Sequence, residues 1–122
     1  MKTKDLTGYR VVAVHAHPDD ETLFMGGTLA SLAARGAEVT VITLTLGEDG
    51  EVIGEPYQGL ADHDRLGGFR ARELANALEA LGVKGIQLGG FGHFRDSGMA
   101  GSPSHENSRA LVNRIDEAAD FL

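Results

Sequence analysis

Val11-Val12-Ala13-Val14-His15-Ala16-His17-Pro18-Asp19-Asp20-Glu21-Thr22-Leu23 decides the reading of this chain: a short β-branched apolar run breaks at a proline and releases two histidines and three carboxylates within seven residues. The run suits a strand buried on both faces, and Pro18 ends it by removing a ladder donor and restricting His17. The polar cluster therefore falls at the carboxyl end of the strand, the edge at which open α/β sheets bind ligands, and a helix is predicted from Asp20 to Arg35. His17 and Asp20 stand three apart across that turn. Imidazole nitrogen and carboxylate oxygen are ordinary Zn²⁺ ligands, and a pair this close in sequence calls for a third ligand from elsewhere in the fold. Asp19, between them, has the type and place of an unligated general base acting on water. The plainer alternative is that Asp19 or Asp20 caps the helix, Glu21 complements its dipole and the histidines are incidental. The two readings are compatible.

Working outward, the helix after Asp20 carries Gly26, Gly27, Ala30, Ala33 and Ala34, small residues that allow close approach to a sheet, and Gly36 supplies a stop. Ala37 to Thr45 is β-branched and alternating, a second strand, so a right-handed β-α-β unit is expected. Parallel pairing brings Leu46-Gly47-Glu48-Asp49-Gly50-Glu51 out on the same edge as His17 and Asp20; taken alone, that segment reads as a solvated acidic turn. Residues 52–65 show no period and are expected to form a long connection. Leu66 to Leu81 is the clearest helix, with Leu66, Leu74, Ala77 and Leu81 on one stripe and Gly82 as its stop. Arg70 lies in the middle of that stripe, where it either snorkels outward or offers its fork of donors to an acidic or hydroxyl-bearing partner. Ile86 to Leu88 reads as a short third strand. The Gly89-Gly90-Phe91-Gly92 run lacks the spacing of a dinucleotide fingerprint. From Ala110 to Leu122 apolar residues return at helical spacing and end on Phe121-Leu122 without a stop signal, so residues 1–122 are expected to form the front portion of a single domain. An unfinished apolar face and sheet edge invite self-association.

The 122 residues suffice for one domain, and 42% hydrophobic with 24% charged residues is a globular composition. Eighteen acidic against eleven basic residues give a net charge of −7, which argues against a nucleic-acid backbone or an anionic membrane as partner and fits a cytoplasmic protein. With no cysteine there is neither a disulfide framework nor a sulfur ligand, so a metal would rest on His, Asp or Glu. No apolar stretch approaches the ~20 residues of a bilayer span.

His15-Ala16-His17-Pro18-Asp19-Asp20-Glu21, Thr45-Leu46-Gly47-Glu48, Gly68-Phe69-Arg70 and Arg95-Asp96-Ser97-Gly98 together resemble the amino-terminal part of PIG-L/LmbE-type zinc N-deacetylases. Gly47 to Gly54 and Arg95 to Gly101 resemble in particular the mycothiol-pathway members that deacetylate N-acetylglucosaminyl-inositol. The related mycothiol S-conjugate amidases share much of the layout, and a non-catalytic sugar-binding α/β module is a further alternative. The resemblance implies a Rossmann-like three-layer αβα fold with a mainly parallel sheet, hydrolysis of an N-acetyl group from a small amino sugar, and one Zn²⁺ per site. It implies His17 and Asp20 as zinc ligands, Asp19 as general base, and Arg70, Asp96 and Glu48 around the sugar. The family's third zinc ligand comes from a later Gly-Tyr-x-His-Pro-Asp-His-like segment that has no counterpart here, and none of His63, His93 and His105 lies in a matching motif. The isolated 122 residues are therefore expected to bind zinc weakly and turn over little.

Overall fold

The computed structural model describes residues 3–62 and 64–122, apart from the side chain of Asp62; His63 lies outside the described residues. Three strands, β1 (Arg10–His15), β2 (Glu38–Thr43) and β3 (Lys84–Gln87), form a parallel sheet in the order β1-β2-β3. The register pairs Ala13 with Val41 and Gly85, then His15 with Thr43 and Gln87. β1 and β2 are joined through α1 (Asp20–Ala34), and β2 and β3 through a connection containing the single-turn α2 (Gly59–Asp62) and the long α3 (Leu66–Leu81).

Alternation along the strands sorts their side chains. Ala13, Val39 and Val41 face α1 and α3 and meet Leu29, Leu74 and Leu78 in the main core. Burial of each such leucine is worth about 1.5–3 kcal/mol, so this contact fixes α1 and α3 on one face, as two successive right-handed crossovers in one direction require. Gly26 is where the helices come close: a Cβ there would stand 3.9 Å from Leu81 Cδ2. The opposite face carries Ile42 and Leu44, which pack with Leu88, the fully buried Phe94, Leu111 and Ala118 of α4 (Ile115–Phe121). Helices thus flank a parallel sheet on both sides, the α/β architecture expected. On the α4 side Val12, Val14 and Ile86 remain exposed.

Several boundaries differ from the sequence reading. The third strand begins at Lys84, before the expected Ile86, because Gly85 lies directly over Leu78 and leaves no side chain to reveal the alternation. The expected long connection holds a 3₁₀ turn (Glu55–Tyr57) as well as α2. The helix expected from Ala110 is interrupted: a 3₁₀ turn spans Leu111–Asn113, and α4 starts only after Arg114, whose guanidinium reaches back to Glu117 and the His93 carbonyl. α3 has the expected bounds, ending on Gly82 at φ +75°. Among the described residues no helix is long and apolar enough to cross a membrane.

Candidate functional site

Strand pairing runs past the formal ends of β1 and β2. Leu44 and Thr45 donate their N–H groups to the carbonyls of His15 and Ala16 (3.0 Å each), and the Thr45 hydroxyl also reaches the Ala16 carbonyl. This holds the His17 turn against the Thr45–Glu48 turn at the carboxyl edge, as the parallel arrangement predicts. Asp20 opens α1 and folds its carboxylate back, so that Oδ2 accepts the His17 N–H at 3.1 Å and stands 3.7 Å from His17 Nδ1.

Asp19 takes the helix N-cap position without a capping bond from its side chain. Its backbone is left-handed, at φ +90°, and its N–H donates to Glu21 Oε2 at 3.1 Å. Its carboxylate turns outward and accepts from Arg70 Nη2 at 3.2 Å. Arg70 also donates from Nη1 to the Gly47 carbonyl at 2.8 Å and from Nη2 to the Pro18 carbonyl. The guanidinium in the packed stripe therefore does not snorkel. It clamps the two site turns together, and the glycines of the second turn make the room: a Cβ at Gly47 would run into the guanidinium, and one at Gly50 would stand 2.6 Å from Nη1.

Asp96 is 8% exposed. Its Oδ1 lies 3.2 Å from His17 Nε2 and accepts the Gly98 N–H, while Oδ2 accepts the Asp49 N–H. The hydrogen bond to His17, against the opposing effect of burial, holds the Asp96 carboxyl down to about 2 and raises the His17 imidazole above its ordinary value. Glu48 Oε1 accepts the N–H groups of Leu46 and Asp96, so it ties its own turn to the Asp96 loop. Arg95 grips Asp64 with both terminal nitrogens (3.1 and 2.9 Å) and approaches Asp49 at 3.6 Å.

These groups surround a cleft of about 500 Å³ lined by His17, Asp19, Asp20, Arg70, Asp96 and Met99, among others. Beyond the Asp19 and Arg70 wall a second cleft of about 550 Å³ is lined by Ile53, Tyr57, Leu60 and Phe69. The structure thus gathers His17, Asp19, Asp20, Arg70 and Asp96 at one cleft, with Glu48 one step behind. Two zinc ligands about 2.0–2.1 Å from the ion at a tetrahedral angle stand ~3.4 Å apart, so the His17 and Asp20 donors fit that ion with little adjustment. Among the described residues no three His, Cys, Asp or Glu cluster as a metal site. His93 is engaged elsewhere, with Nε2 on Glu117 at 2.8 Å and its ring packed on Phe94 and Phe121.

Sequence reasoning missed the fully buried Glu21 as the partner of the Asp19 N–H, a link that no residue pattern signals. It also passed over a row in register across the sheet. His15 Nε2, Thr43 Oγ1 and Gln87 Nε2 are buried and find no hydrogen-bond partner among the described residues.

The profile of the family described as PIG-L, GlcNAc-PI de-N-acetylase, matches residues 12–121. The chain belongs to the PIG-L family. Among PIG-L relatives it is 59% identical over 121 residues to the 1D-myo-inositol 2-acetamido-2-deoxy-alpha-D-glucopyranoside deacetylase of Corynebacterium diphtheriae, covering 98% of this chain and 41% of that one. To the enzyme of the same name from Corynebacterium glutamicum it is 60% identical over 124 residues, covering 100% of this chain and 43% of the relative. The chain thus spans about two fifths of the length of these curated relatives. Of solved structures, N,N'-diacetylchitobiose deacetylase from Pyrococcus horikoshii, complexed with an inhibitor, matches with TM-score 0.59 and 32% identity over 72% of this chain and 30% of that one. The zinc-inhibited form of teicoplanin deacetylase Orf2 matches with TM-score 0.56 and 33% identity, over 72% of this chain and 34% of that one.

Proposed function

We propose that these residues form the amino-terminal part of a zinc-dependent amide hydrolase domain that removes the acetyl group from N-acetylglucosaminyl-inositol. The observation that carries this reading is the His17 Nδ1 and Asp20 Oδ2 pair, 3.7 Å apart at a cleft whose wall holds Asp19 on the Arg70 guanidinium. The names of the curated relatives support the choice of sugar. His17 and Asp20 would hold the zinc, with a third ligand from outside these residues. Bound there, zinc supplies a Lewis acid that polarises the amide carbonyl and acidifies water.

Asp19 accepts a proton from the attacking water as its oxygen bonds to the acetyl carbon, then returns it to the sugar nitrogen as the C–N bond breaks, leaving acetate and a free amine. Arg70, bonded to the Asp19 carboxylate, orients that base, and as a residue of the cleft wall it would also donate to a sugar hydroxyl. Asp96 lines the same cleft and would meet the sugar there, with Glu48 acting through the Asp96 loop.

The test uses the complete gene product with acetylated glucosaminyl-inositol, reading release of acetate and amine. Chelation is expected to abolish release, zinc to restore it, and Asp19→Asn to lower kcat at least 100-fold with zinc still bound. Release that survives chelation, or that Asp19→Asn leaves intact, overturns the reading. The 122 residues alone are expected to bind zinc only weakly, with two of the ligands in hand.

A further inference from the structure

Asp96 borders the cleft, but the rest of its geometry is directed at His17. The two ring nitrogens of His17 face opposite ways, Nδ1 toward Asp20 Oδ2 at 3.7 Å and Nε2 toward Asp96 Oδ1 at 3.2 Å. A neutral imidazole offers one nitrogen lone pair to a metal and carries its proton on the other. If Nδ1 ligates beside Asp20, the proton sits on Nε2, and Asp96 is the group placed to receive it.

The acceptor is itself held rigidly. Gly98 and Asp49 donate their N–H groups to its two oxygens at 3.1 and 3.2 Å, Glu48 Oε1 takes its own N–H at 3.3 Å, and the residue is 8% exposed. With the His17 Nε2–H, three N–H groups fall on this carboxylate, two of them from the backbone. Ligating histidines commonly pass their second N–H to a carboxylate, which fixes tautomer and ring plane.

We infer that Asp96 is a positioning residue of the metal centre: it accepts the His17 Nε2–H, selects the tautomer that leaves Nδ1 for the metal, and sets the ring plane through a carboxylate anchored by Gly98, Asp49 and Glu48. The inference rests on the metal-centre reading above and is independent of which sugar is bound.

The experiment titrates zinc, without substrate, into the chelator-stripped complete gene product and its Asp96→Ala and Asp96→Asn variants, against a competing chromophoric chelator. Asp96→Ala is expected to raise the zinc Kd 10- to 100-fold, and Asp96→Asn, whose amide oxygen still accepts a hydrogen bond, to raise it less; the zinc-free variants are expected to melt lower, Asp96→Ala by more, because the Gly98 and Asp49 N–H groups lose their acceptor. Nitrogen-15 spectra of the zinc-loaded wild-type protein are expected to show the His17 proton on Nε2, a readout that holds even where a variant fails to fold. A zinc Kd for Asp96→Ala within about 3-fold of wild type, with only KM for the sugar raised, overturns the inference, as does ligation through Nε2. A wild-type protein that binds no zinc overturns the metal-centre reading itself, and this inference with it.

Discussion

The Asp19 N–H points at Glu21 Oε2, 3.1 Å away, and Glu21 is fully buried. Its other oxygen accepts the Thr22 hydroxyl at 3.0 Å, so both carboxylate oxygens are used inside the first turn of α1. A buried side chain thus holds the backbone of the proposed base, while Arg70 holds its carboxylate. The residue is fixed from both ends in a conformation that side chains with a Cβ seldom adopt.

Removing the Glu21 brace should loosen the base before it unfolds the protein. Glu21→Ala leaves the part-buried Asp19 N–H without its partner, at a cost of about 1 kcal/mol, and should lower both the melting temperature and kcat. Glu21→Gln keeps an acceptor oxygen of the same reach and should recover most of both. Thermal melts and acetate release on the complete gene product check this. Equal losses for the two variants would show that Glu21 acts through its charge rather than through the Asp19 N–H.

The left-handed backbone at Asp19 makes a second prediction. Asp19→Ala and Asp19→Gly both delete the carboxylate and should be equally inactive, but only glycine adopts φ +90° without steric cost. The glycine variant should be the more stable by about 1–2 kcal/mol, seen as a melting temperature several degrees higher. Identical melting curves would mean the turn relaxes once the carboxylate is gone.

The parts legible in the sequence are those written in local pattern. The stripe and Gly82 gave α3 its bounds, and Pro18 after an apolar run placed the carboxylates at a strand end. What escaped depends on partners far away in the chain. Arg70 was open between solvent and a ligand because its acceptors are the carbonyls of Gly47 and Pro18, and no residue type announces a backbone oxygen 23 or 52 positions away. The link from Glu21 to Asp19 exists only because Asp19 is left-handed, which an aspartate does not signal. β3 was clipped at its start because the face of Gly85 is filled by Leu78 from α3.

Acid should release the Asp64 anchor. Hydrogen bonds from Arg95 hold the Asp64 carboxyl below its ordinary value of 3.8. The unfolded chain therefore binds the proton more readily, and the stabilisation is fully present above pH ~4 and fades as the pH falls through the folded-state value. The carboxylate is 61% exposed, so the pair is worth at most about 1 kcal/mol. Asn at this position also tolerates the positive φ of 51°. Wild type should thus melt slightly above Asp64→Asn at pH 7, with the gap closing in acid. A gap that stays constant from pH 7 to pH 3 would assign the effect to packing rather than charge.

Gly85 and Leu78 are coupled by space alone, at the point where α3 crosses β3. A Cβ at Gly85 would collide with Leu78 Cδ1, in a core where Leu78 is 8% exposed. Gly85→Ala should cost about 1–3 kcal/mol through overpacking, and Leu78→Ala about 2–5 kcal/mol through the cavity it opens. The new methyl enters the space the leucine vacates, so the double variant should be more stable than the sum of the single losses by at least ~1 kcal/mol. Urea unfolding of the four proteins closes the cycle. Strict additivity would mean that β3 slides to accept the methyl, and that the close approach of α3 to the sheet is not held by Gly85.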